Sequence, residues 1–72
     1  MQQPNYYLKG LIYEADGTII EFARAVNINE SRLSRIIHRR VRPNQKEKQK
    51  IAWHLQRTIE DIFDEHSRRE RT

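Results

Sequence analysis

The stretch EFARAVNINESRLSRI, residues 21–36, leaves this chain few ways to fold. Phe22, Ala23 and Val26 recur at helical spacing, and so do Leu33, Ile36 and Ile37 after them. Only Asn27, Ile28 and Asn29 stand between the two runs, with no glycine or proline among them. Each meets a specific demand of two short helices joined by a tight turn. Ala23 is small where the second helix must pass close to the next. Asn27 is one of the few non-glycine types that tolerates a left-handed backbone. Ile28 supplies an apolar plug for the corner, and Asn29 is a good N-cap. The spacing predicts helices over about Ile19–Val26 and Glu30–His38.

The same periodicity places three further helices. Leu8, Leu11, Ile12 and Ala15 form a stripe on a first helix over about Asn5–Ala15, weakened by Gly10. Asp16-Gly17-Thr18 ends it in a turn, and Thr18 is placed to cap the second helix. Asn44 to Glu47 reads as a capping box opening a fourth helix to about Gln56, with Ile51, Ala52 and Leu55 inward. Thr58 opens a last short helix with Ile59, Ile62 and Phe63 inward. Strand-like alternation is absent, so the fold class is all-α. Residues 1–5 read as a flexible N-terminus, 6–64 as one domain, and the charged 65–72 as a disordered tail.

Seventy-two residues, 36% of them hydrophobic, allow one modest core and no deep, lidded substrate pocket. With no cysteine there is neither a disulfide framework nor a thiolate metal site. No apolar run approaches the roughly 20 residues of a membrane span. The start MQQPNYYLKG lacks the basic and apolar regions of a secretory signal. A soluble cytoplasmic protein is the expectation. His38, His54 and His66 are never three or four apart and have no completing acid or thiol, so no metal is expected. No nucleophile–base arrangement stands out, and no catalytic residue or cofactor is expected.

Charge is unevenly divided. From Arg32 to Arg57 there are nine Lys or Arg and one acid, Glu47, a net +8. The remainder holds five bases and nine acids, a net −4. Separation of this kind marks a face suited to a polyanion. Tyr6, Tyr7, Tyr13 and Trp53 are not all accommodated in the core. Packing at its edge is favoured for them over a self-association face.

EFARAVNINESRLSRI, then RRVRPN, then IAWHL, then TIEDIF, taken in that order, resemble the phage-repressor-like (Cro/repressor, Xre-type) helix-turn-helix DNA-binding family. The likeness runs from about Leu8 to Phe63. It implies a compact five-helix, lambda-repressor-like domain whose third helix lies in the major groove of double-stranded DNA. It assigns base-edge contacts to Glu30, Ser31 and Arg35, with Arg32 close by. It assigns phosphate contacts to Thr18, Ser34, His38, Arg39, Arg40 and Arg42. The chain departs from the family pattern at Ile19, where a DNA-buttressing Gln is frequent, and at Asn27, where Gly is frequent. It departs again at Gln56–Arg57, where a Gly–aliphatic pair is usual and a less tightly sealed corner is expected.

The side-chain chemistry agrees with that assignment. Arg pairs in bidentate fashion with guanine O6 and N7, and Glu accepts from cytosine N4. The clustered arginines supply affinity without sequence information. Glu30 equally suits the helix dipole, and Arg32 has a second reading as the partner of a neighbouring carboxylate. A sequence-specific transcriptional regulator, acting as a repressor, is the expected function, with a homodimer on a palindromic site as an open alternative to a monomer. No small-molecule substrate is expected. The rival is a protein-interaction module on the same scaffold, such as an antitoxin or phage accessory protein, whose basic face meets an acidic partner.

Overall fold

The computed structural model describes residues 3–63, and the tail expected over 65–72 lies outside them. Five helices follow one another: α1 Tyr6–Asp16, α2 Ile19–Val26, α3 Glu30–Ile37, α4 Gln45–Leu55 and α5 Ile59–Phe63. No strand occurs among the described residues.

Each helix begins on a side-chain cap, which satisfies backbone N–H groups that the helix itself leaves open. Asn5 accepts from the Leu8 amide at 3.0 Å, and Thr18 Oγ1 from the Glu21 amide at 3.1 Å. Asn29 Oδ1 accepts from both Ser31 and Arg32. Asn44 and Glu47 close a reciprocal capping box at 2.8 and 2.9 Å. Thr58 Oγ1 accepts from the Asp61 amide at 3.0 Å.

Four helices end on a positive φ or a tightened last turn. Asn27 stands at φ 57° and Gln56 at φ 58°. Gln56 thus takes the left-handed position without the glycine that would hold it most cheaply. Arg39, at φ 63°, does the same just after α3, and the Arg40 amide donates back to the Arg35 carbonyl at 2.8 Å. Gly17, at φ 86°, terminates α1 through a bond to the Tyr13 carbonyl.

Between α2 and α3, Ile28 donates its amide to the Ala23 carbonyl at 3.0 Å and buries its side chain. The core comprises Leu8, Ile12, Phe22, Leu33, Ile37, Ile51 and Ile62, all essentially inaccessible, with Leu11, Ala23, Val26, Ile36 and Ala52 around them. Every helix contributes to this one compact core. The Phe22 and His54 rings pack edge to face with their centroids 5.3 Å apart, and His54 Nε2 pairs with Asp16 at 3.0 Å. That pair fastens the end of α1 to the end of α4.

Several expectations are corrected. Ala15 is exposed, because the apolar stripe of α1 outruns the helices that cover it. Leu55, Ile59 and Phe63 are half-buried against the core and not sealed within it. Ile19 also packs there, leaving Ile20 exposed. Trp53, 86% exposed, and Tyr6 stand out from the core's edge, whereas Tyr7 and Tyr13 are about half covered. Finally, Asn5 belongs inside the domain.

Asn5 is buried and joins three elements. Its backbone N–H donates to the Ile37 carbonyl at 2.7 Å, and its Nδ2 to the Ile62 carbonyl at 3.0 Å, while its Oδ1 caps α1. Asn5→Ala removes the cap and strands the Ile62 carbonyl, and is expected to cost about 2–3 kcal/mol. Asn5→Ser restores only the cap and is expected to recover about 1 kcal/mol of it. Urea unfolding of the three proteins checks this; equal stabilities would show that the tie carries no energy.

Candidate nucleic-acid interface

Burial of Leu33, Ile36 and Ile37 on one side of α3 turns the opposite side outward. On that outer side Glu30, Ser31, Ser34 and Arg35 join His38 and Arg40 around one open concavity of about 440 Å³. Six of the ten residues singled out from the sequence meet here. Two guanidinium forks donate, two hydroxyls do either, and the Glu30 carboxylate accepts. His38 is exposed, with its Nδ1 2.9 Å from the Ser34 carbonyl. The Glu30 carboxylate also sits in the first turn of α3, where the helix dipole favours it.

The other four are placed elsewhere. Thr18 is exposed at the start of α2, with its hydroxyl engaged as a cap. Arg39 lines a separate concavity beside Tyr6, Tyr7 and Asp61, and its Nε is buried with no hydrogen-bond partner among the described residues. The left-handed backbone at Arg39 parts it from Arg40. Arg42 is exposed, and its carbonyl lies 3.5 Å from Arg32 Nη2.

Arg32 is turned away from the concavity and grips α4. Its Nη2 donates to Glu47 Oε1 at 3.0 Å while its Nε donates to Oε2, a bidentate pair. Glu47 Oε1 also accepts from the Asn44 amide, so one carboxylate closes the cap of α4 and ties α4 to α3. The Arg32 hydrogen bonds hold the Glu47 carboxyl below its ordinary range, helped by the Asn44 amide and opposed by burial. For Arg32 the ion-pair reading is therefore the one realised, and the pair ties α3 to α4.

Sequence reasoning found the capping box but missed the second use of Glu47, because nothing local connects residues fifteen apart. It also missed the bond from Tyr7 Oη to Asp61 Oδ2 at 2.8 Å, which links α1 to α5 and raises the Tyr7 pKa. Among the described residues no three His, Asp or Glu side chains converge to hold a metal ion.

Glu47→Gln retains a capping side chain but loses the charge. It is expected to lower stability by about 1 kcal/mol at neutral pH, since the pair is partly exposed. A carboxyl whose folded-state pKa is lowered stabilises the fold above its ordinary value of 4.5. The advantage of Glu47 over Gln is therefore full above that value and lost as pH falls through the lowered one. Urea midpoints of both proteins along a descending pH series check this; a gap that persists in acid would show that charge is not its source.

Comparison with protein-family models, with curated proteins and with solved structures finds no match to this chain.

Proposed function

We propose that this chain is a sequence-specific double-stranded DNA-binding regulator of the phage-repressor-like type, acting as a repressor by occupying its site. The observation that carries this reading is the outer side of α3. It brings Glu30, Ser31, Ser34, Arg35, His38 and Arg40 to one exposed concave surface at the end of a short connection from α2. In the proposal α3 enters the major groove by its N-terminal half. Arg35 takes a guanine edge, and Glu30 and Ser31 take neighbouring base edges. Arg40, His38 and Ser34 meet phosphates where the chain leaves the groove, and Thr18 and Arg42 extend the backbone contacts. Arg32 acts through Glu47, holding α3 at its angle to α4. No step of this function breaks or makes a covalent bond.

Selection of bound sequences from a random duplex pool identifies the preferred site, and a palindromic site would indicate a symmetric dimer. Arg35→Ala is expected to cost roughly 1–3 kcal/mol on that site and much less on random duplex, at one fixed salt concentration. Equal losses on both DNAs would reduce Arg35 to a phosphate contact. Arg40→Ala is expected to weaken all duplexes alike and to flatten the salt dependence by about one unit of slope. No retention of the unmodified protein on duplex DNA at low salt would end the DNA-binding reading and favour the protein-interaction module.

A further inference from the structure

Trp53 is the most exposed large hydrophobic side chain among the described residues, and the surroundings give it a context. Lys46, Lys50 and Trp53 fall three and four residues apart, on the side of α4 opposite Ile51 and Leu55. Beyond the end of α4 the chain turns through the left-handed Gln56 and brings Arg57 and Ile59 alongside. The result is a shallow, open trough of about 640 Å³ lined by Ala52, Trp53 and Ile59 and largely apolar. Lys46, Lys50 and Arg57 line it, with no carboxylate among the lining residues. Arg57 is steadied by Asp61 at 3.9 Å and by Tyr7 Oη at 3.4 Å. The trough shares no residue with the concavity on α3.

We propose that this trough is a second docking surface, for an acidic amphipathic segment of a partner protein. Its apolar side chains would lie between Trp53 and Ile59, and its carboxylates would meet Lys46 and Lys50. Tryptophan is among the residue types that dominate interface energetics, and a concave apolar seat beside it suits the anchor side chain of a helix. The charges select the occupant. A second copy of this chain would set these cations against the same cations, with no acid in the trough to answer them. A lipid surface calls for several apolar side chains standing out together, whereas here one protrudes beside a trough. A single strand of nucleic acid calls for successive aromatic platforms, and the trough has one. The proposal does not depend on DNA binding by α3.

Trp53 is the only tryptophan, so its emission reports on this surface alone. The full chain is titrated with a helix-forming Leu/Glu peptide free of aromatic residues, and in parallel with its Leu/Lys counterpart. A saturable blue shift with the Leu/Glu peptide and none with the Leu/Lys peptide is expected. The double variant Lys46→Gln/Lys50→Gln keeps Trp53 and is expected to bind about tenfold more weakly, with an unchanged helical spectrum. Trp53→Ala, followed by calorimetry with the same peptide, is expected to lose binding to a similar degree. Absence of a shift at millimolar peptide, or an equal response to the Leu/Lys peptide, overturns the proposal. So does a shift produced only by anionic phosphatidylglycerol vesicles, by duplex DNA, or by raising the protein concentration alone. Those three results would assign the trough to a membrane, to nucleic acid or to a second copy.

Discussion

The short connection from α2 to α3 is the constraint on which the rest of the molecule depends. Asn27 reverses the chain in the left-handed region, Ile28 is drawn into the core, and Asn29 starts the next helix. A residue other than glycine in that region carries a conformational cost, smaller for Asn than for most. The burial of Ile28 and the bonds made by the Asn29 cap offset it. Once the turn is set, α3 has little choice. Leu33, Ile36 and Ile37 must face the core, so Glu30, Ser31, Ser34 and Arg35 must face out.

A core of this size leaves a small margin of stability, and polar ties between distant segments supplement it. Asn5 draws the start of α1 onto the ends of α3 and α5. Arg32 and Glu47 join α3 to the start of α4, and Asp16 and His54 join the ends of α1 and α4. In two of these ties a group already used for helix capping is used a second time. Asn5 and Glu47 each serve a local cap and a long-range partner. Such economy suits a short chain, and it couples the orientation of α3 to the integrity of a cap on α4.

Five basic residues of the Arg32–Arg57 stretch illustrate how the charge is divided among separate surfaces. Arg35 and Arg40 remain around the concavity on α3, Lys46 and Lys50 lie along the outer side of α4, and Arg39 turns toward α1 and α5. Net charge alone would have drawn them as one face. The structure separates them because α3 ends at a left-handed residue, after which the chain takes a new direction before Asn44 starts α4.

The sequence by itself determined the five helices, the all-helical class and most of the core. Each of these rests on residues within one or two turns of each other: an apolar period, an Asn or Thr cap, an Asn that accepts positive φ. It also placed Glu30, Ser31, Ser34 and Arg35 on the outer side of α3, since the buried stripe of a helix dictates what lies opposite, but it did not separate them from Arg32. Tertiary structure alone decided the burial of Asn5, the pairing of Arg32 with Glu47, the parting of Arg39 from Arg40 and the exposure of Trp53. These depend on how far the covering helices reach and on partners well apart in the chain. Local periodicity fixes which way a side chain points from its own helix; only the packing of the other helices decides whether something stands there to meet it.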